Sequence, residues 1–154
     1  MSEAAVKGKS IKSTSGKNFT CGEVGSFSDL RDYILPIPDR VVRGKVFLKE
    51  SIGFTAMEIS FTTIAPGKNT PFVHHHKQDE EAYIFIQGTG RMQVDDDVFD
   101  VTEGSVVRVA PDGKRAIGND SDKPLIYICI QAKAGSLEQY TTSDGVKDPD
   151  PPKV

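Results

Sequence analysis

Between residues 41 and 132 the apolar and polar positions follow the rhythm of a β-protein. In FTAMEISFTTIA, Met57, Ile59 and Phe61 fall on one side and Glu58, Ser60 and Thr62 on the other. That period of two is the signature of a pleated strand. VVRGKVFLKE precedes it across SIG, and EAYIFIQ, RMQVD, VFDV, SVVRVA and LIYICIQA follow, separated by GTG, DDD, TEG, PDGK and NDSDKP. Each separator is turn chemistry: glycine supplies positive φ, proline fixes φ, and Asn and Asp bond to their own backbone. No helical period intervenes, so the spacing predicts an all-β antiparallel sandwich or barrel. LIYICIQA is apolar on both faces. It needs either a second packed layer or a partner subunit to cover it.

The ends read differently. Residues 1–18 are rich in Lys, Ser and Gly, which predicts a flexible N-terminal arm. Residues 19–44 form a lead-in. Within it SFSDLRDYILP predicts one short helix, capped by Ser26 or Ser28, stopped by Pro36, with Leu30, Tyr33 and Ile34 as its apolar side. The PIPDR that follows predicts a turn or extended link. The strand-rich body is expected over 45–132. Residues 133–154, ending in TTSDGVKDPDPPKV, have the composition of a tail.

Composition narrows the function classes. With 154 residues the chain suits one domain. Lys+Arg 19 against Asp+Glu 22 gives a net charge of −3, which predicts attraction to neither nucleic acid nor a membrane surface. No apolar run approaches the ~20 residues that span a bilayer. The first residues lack the apolar stretch of a secretory signal, so a cytoplasmic location is expected. Cys21 and Cys129 have no CxxC partner and are expected to be free thiols.

The chemistry gathers at VHHHKQDEEAYIFIQG, residues 73–88, which holds every histidine of the chain. On an extended segment His74 and His76 share a face and His75 points away. Glu81 is five positions after His76, an odd step. The polar KQDE between them is turn-like, and a reversal there returns Glu81 to the imidazoles, with Tyr83 and Phe85 on its face. Two imidazoles and one carboxylate suit a divalent transition ion, Zn, Fe, Mn, Ni or Cu, better than Ca or Mg. The alternative is a solvated histidine-rich loop. Asp95, Asp96 and Asp97 lack the alternation of a calcium loop and read as a hairpin turn.

The stretch GKNTPFVHHHKQDEEAYIFIQG resembles the first motif of the cupin superfamily: G, about five residues, HxH, three or four residues, E, six residues, G. Here six residues separate Gly67 from His74, four separate His76 from Glu81, and six separate Glu81 from Gly88. The resemblance extends over about 45–132. It implies a double-stranded antiparallel β-barrel of the jelly-roll kind, a metal ion held by His74, His76 and Glu81 in its mouth, and a homodimer. The second motif of that family reads G, five residues, PxG, two residues, H, three residues, N. GSVVRVAPDGKRAIGND supplies Gly104, Pro111 and Gly113, but counting from PDG puts Ala116 at the histidine and Asp120 at the asparagine. The fourth ligand is missing on this reading, which predicts an ion that is weakly held or absent.

Several neighbours are candidates for the remaining roles. If the turn after PDG shifts by one residue, Arg115 aims into the barrel and could clamp a carboxylate or phosphate; otherwise it is a solvated turn residue. Arg108, among valines, is a second candidate anion ligand if it points inward. Phe85 would line the barrel against substrate or pack the core. Glu80 and Tyr83 are the candidate proton carriers. No GxSxG, no phosphate-cradling GxxxxGK[ST] and no GxGxxG opening a helix is present. The expected function is a metal-dependent enzyme, of oxygenase or isomerase type, acting on a small carboxylate, diol or sugar-like molecule. The other reading is a non-catalytic module that binds a small ligand or a metal.

Overall fold

The structure is a computed structural model and describes residues 8–154. In chain order its strands are β1 (Lys12–Ser15), β2 (Thr20–Glu23), β3 (Ile34–Ile37), β4 (Arg40–Arg43), β5 (Lys45–Phe47), β6 (Glu58–Ile64), β7 (Lys68–Asn69), β8 (Asp79–Gln87), β9 (Thr89–Val94), β10 (Asp97–Thr102), β11 (Val106–Val109), β12 (Arg115–Asn119) and β13 (Leu125–Lys133). A 3-10 helix spans Phe27–Asp32, and a single turn of helix, α1, spans Lys49–Ile52. The fold is all-β, as the alternation predicts. A five-stranded sheet runs β11-β8-β13-β6-β5, and a four-stranded sheet runs β10-β9-β12-β7. Every pair is antiparallel.

The two sheets share one apolar core. Phe85, Tyr127, Leu125 and Val109 from the larger sheet meet Met92, Val101 and Ile117 from the smaller. The turns between strands are the glycine and aspartate separators of the sequence. Gly88 has φ 86, and a Cβ there would sit 2.5 Å from the Pro124 carbonyl oxygen, so only glycine fits.

β6 carries the least expected result. Its apolar row does not face the inter-sheet core. Ile59 and Phe61 point outward against Leu30, Tyr33, Val46 and Leu48, while the polar row, Ser60 and Thr62, is buried inside. A second core therefore lies under the chain's own N-terminal segment. Ile126 of β13 is sealed there, so the outer layer predicted for LIYICIQA is partly intrachain. Burying Leu30 contributes about 1.5–3 kcal/mol to holding this segment down.

The lead-in differs from its prediction in three ways. The helix is a 3-10 turn capped by Ser26, whose side chain accepts from the Ser28 backbone N–H, and it ends at Tyr33, whose backbone conformation is extended. Ile34 and Pro36 therefore belong to β3, where Pro36 forms part of a hairpin with β4 rather than a helix stop. In the predicted arm, Met1 to Lys7 lie outside the described residues, but Lys12–Ser15 pairs with Thr20–Glu23 as a hairpin. VVRGKVFLKE, read as one strand, is broken at Gly44, which has φ 88. Its parts become β4, β5 and the start of α1. Glu58 accepts from the backbone N–H groups of Leu48 and Lys49 and so satisfies the first donors of α1. Beyond Lys133 the chain has no strand or helix. Among the described residues no helix is long and apolar enough to cross a membrane.

Candidate metal centre

The histidines and the glutamate come from different sheets. Residues 70–74 run beside β12: Thr70 N–H donates to Ile117 O, and His74 and Arg115 exchange backbone hydrogen bonds of 3.2 and 2.9 Å. His76 N–H is held by Pro111 O. The chain then crosses at KQ and enters the five-stranded sheet at Asp79. Glu81 stands there opposite Val109 and Gln131. The reversal expected at KQDE is this crossing, and it brings the odd-spaced Glu81 onto the face of the imidazoles.

His74, His76 and Glu81 each offer one ligand atom, and those atoms lie within 4.8 Å of one another. His76 Nε2 is 3.1 Å from Glu81 Oε1, and His74 Nε2 is 3.8 Å from Oε2. His76 Nε2 is buried and has no hydrogen-bond partner of good geometry. A buried, unpaired imidazole nitrogen aimed at a carboxylate is an unmet lone pair or proton, which a shared cation would satisfy. The group therefore could hold a divalent ion. His75 is exposed and points away.

The second carboxylate oxygen is already engaged. Tyr83 O–H donates to Glu81 Oε2 at 2.5 Å, and Arg115 Nε lies 3.0 Å from the same atom. Arg115 is 1% exposed, and its NH1 donates to Gly113 O at 2.7 Å. The guanidinium is thus aimed into the protein. The predicted one-residue shift after PDG is present, and the solvated-turn alternative for Arg115 is corrected. Arg115, Ile117 and Asn119 are the inward positions of β12, and Ala116 lies between them.

Burial and neighbouring charge shift these groups in different directions. Burial alone would raise the Glu81 carboxyl, but the hydrogen bond from Tyr83, then Arg115 and His76, together hold it below its ordinary value. Burial, foremost, pulls His74 down, which favours the neutral imidazole a metal needs. Burial pushes the Tyr83 phenol far up, so it stays a donor. Cys129, on the next strand, is pushed up to about 12 by burial and by Glu81. It is a free thiol, as is exposed Cys21.

Three predicted site residues lie elsewhere. Glu80 and Arg108 face outward and form an ion pair with each other on the sheet surface. The proton-carrier role for Glu80 and the anion-ligand role for Arg108 are corrected accordingly: period two puts each one step out of phase with the inward Glu81 and Val109. Phe85 is 1% exposed and packs on Tyr127 at 5.5 Å, inside the core and away from the cavity. Tyr83 does face the site, but its hydroxyl is committed to Glu81.

The group opens into a cavity of about 460 Å³. The predictions missed much of its wall. Lys45 and Phe47 pair with Thr62 and Ser60, so they share the inward face of β6. Leu35, Ile37 and Val42 of the β3–β4 hairpin close one side, with Arg43. Burial lowers the Lys45 ammonium from the ordinary lysine range. The alternation of KVF was visible in the sequence. Its phase relative to β6 was not.

Comparison with known proteins agrees with this geometry. The family model for the cupin domain matches residues 60–131. A cupin protein of Bacteroides fragilis superposes with a TM-score of 0.66 at 40% identity, covering 74% of this chain and 94% of that one. This chain belongs to the cupin superfamily. An uncharacterized protein of Methanocaldococcus jannaschii is 30% identical over 66 residues, 43% of this chain and 53% of that protein, so the chain spans about half the length of that curated relative. A predicted oxalate decarboxylase from Thermotoga maritima has a TM-score of 0.54 at 19% identity, covering 61% of this chain and 82% of that one. That likeness concerns the cupin fold alone.

The second cupin motif can now be placed on the backbone. In the family pattern the histidine falls eleven positions after the first glycine. Counted from Gly104 that position is Arg115, and the asparagine position is Asn119. Asn119 is 1% exposed and donates to Ile64 O and Lys123 O. The assignment to Ala116 and Asp120 is therefore corrected. PDG is displaced by one residue, the strand is not, and an arginine stands where the fourth ligand would be.

Proposed function

We propose that this protein is a metal-dependent cupin enzyme acting on a small polar molecule, with His74, His76 and Glu81 as the metal ligands. The observation that carries this reading is the convergence of three ligand atoms within 4.8 Å at a cavity of metabolite size. Zn, Fe, Mn or Ni suits the donor set. When bound, such an ion supplies Lewis acidity toward a chelating carboxylate, enediol or diol.

The chain's own residues do the rest. Glu81 presents Oε1 toward His76, while Tyr83 and Arg115 hold Oε2, which fixes the carboxylate's rotation and favours a single-oxygen ligand. Tyr83 is a positioning residue in this reading, because its proton is kept and is spent on Glu81. The open side of the group faces the cavity, and Leu35, Ile37 and Val42 limit access of water there. Isomerisation and oxygenation both suit a site with three protein ligands and open positions.

One observation favours a second reading, a non-catalytic ligand- or metal-binding module. Arg115 neutralises Glu81 on its own, so the site is electrostatically complete without an ion. Elemental analysis of untagged protein beside His76→Ala tests the metal on which the enzyme reading depends. The enzyme reading expects a transition metal bound to the native protein and lost in the variant. Equal content in both overturns it.

A homodimer and a cytoplasmic setting are part of the same proposal. Val106, Ile84 and Ile128 form an apolar row across the outer face of β11, β8 and β13, and Val106 is 68% exposed. Light scattering of the native protein against Val106→Glu tests whether a second copy covers that row.

A further inference from the structure

The charge of the cavity departs from that of the chain. Arg31, Arg43, Lys45, Lys68 and Arg115 line it, against two carboxylates, Glu58 and Glu81. Five against two leaves three positive charges in excess, in a chain whose net charge is −3. Both carboxylates are committed, Glu58 to the first N–H groups of α1 and Glu81 to Tyr83 and Arg115. Among the described residues no carboxylate lies within ion-pairing reach of Arg31, Arg43, Lys45 or Lys68.

Arg31, Arg43 and Lys68 are exposed, and water alone would satisfy them. Lys45 is different. Its pairing with Thr62 turns it inward, it is half-buried, and its ammonium sits 4.9 Å from the Phe47 ring centre. Burial works against its charge. A partly desolvated cation with no carboxylate in contact, only Glu81 and Glu58 acting on it from farther off, is stabilised by an anion brought from outside. Around it, Leu35, Ile37 and Val42 of the hairpin and Phe72 offer apolar wall to the same space.

We infer that the cavity takes a small organic anion with an apolar body, whose charged group is met by Lys45 with Arg43 at the mouth while an oxygen donor of the same molecule faces His74, His76 and Glu81. The last part rests on the metal reading above; the cationic subsite does not. Arg115 also lines the cavity; its Nε pairs with Glu81, and its buried NH2 has no hydrogen-bond partner. Arg108 takes no part, being paired with Glu80 on the outer face, and the edge strand β5 supplies a charge that the sequence did not suggest.

Calorimetric titration of the full chain tests this with phenylpyruvate, its uncharged methyl ester and phenyl phosphate, each with and without zinc. Binding of phenylpyruvate or phenyl phosphate, about tenfold or more weaker for the ester and for Lys45→Met, and weakening as salt rises, is the expected result. Which of the two acids binds more tightly tells carboxylate from phosphate. Circular dichroism and a melting curve on Lys45→Met establish that it folds, and Lys45→Arg, which keeps the charge, is expected to bind within a few-fold of the native chain. Equal affinity for acid and ester, no loss in Lys45→Met, or no binding of either acid overturns the inference. If Lys45-dependent binding persists while zinc makes no difference, the metal reading falls and the anion subsite stands.

Discussion

Two corners of the cavity face each other across one backbone bridge, and they differ in chemistry. On one side the segment through His74 and His76, with the start of β8, keeps the cupin ligand set. On the other the start of β12 presents Arg115 in place of an imidazole. His74 and Arg115 exchange backbone hydrogen bonds, so the two corners are directly opposed. A permanent cation stands beside a group that could hold an exchangeable one. It neutralises Glu81, satisfies the carbonyl of Gly113 and leaves Oε1 free. Arg115 thus brings charge, not a donor atom, to this corner.

The largest effect should come from removing that permanent cation. Arg115→Met leaves Glu81 buried with Tyr83 but without its permanent counter-charge, and urea denaturation in the presence of a chelator should show a loss of about 3 kcal/mol. Zinc should recover part of it, because the ion takes over neutralisation. On the opposite corner, His76→Ala should leave stability in chelator nearly unchanged but weaken zinc binding about a hundredfold, read by competition with a chromophoric chelator. A comparable loss of stability in both variants would erase the distinction between the corners.

Tyr83→Phe lies between the corners and should cost about 1–2 kcal/mol of stability, the loss of one hydrogen bond to a charged group. It should also make the chain more acid-resistant in slope. Glu81 is held below its ordinary 4.5 in the folded chain, so its contribution is present above that pH and is lost as pH falls through the depressed value. His74 is held below its ordinary 6.5, so the unfolded chain takes up its proton first, and stability falls as pH drops below 6.5. Both signs agree: in chelator the melting temperature should fall from neutral to acid pH. In Tyr83→Phe the limb below pH 4.5 should be shallower. The smallest effect belongs to the surface pair. Arg108→Ala or Glu80→Ala should shift stability by at most about 1 kcal/mol and leave zinc affinity unchanged, since Arg108 is an exposed strand charge.

Much of this was legible in the chain. Period two located most of the strands of the two sheets because turns of Gly, Asp and Pro punctuate them. His74, His76 and Glu81 were legible because their spacing encodes a crossing between sheets. What stayed hidden depended on registers between distant segments. The inward face of β6 is its polar row, because Ser60 and Thr62 line the cavity while Ile59 and Phe61 serve the N-terminal segment. Lys45 faces the site only because β5 pairs with β6 in that phase. Arg115 and Ala116 could not be told apart by counting from PDG, since the displacement lies in the turn and the strand keeps its count from Gly104. Glu80 and Arg108 are paired to each other across strands 28 positions apart, which no local pattern signals.

The most direct test of the centre is anomalous diffraction from crystals of untagged protein soaked in cobalt(II). The account predicts one strong peak within coordination reach of His74 Nε2, His76 Nε2 and Glu81 Oε1, with the Arg115 guanidinium still on Oε2. An absent peak, or imidazoles turned away from Glu81, would contradict it.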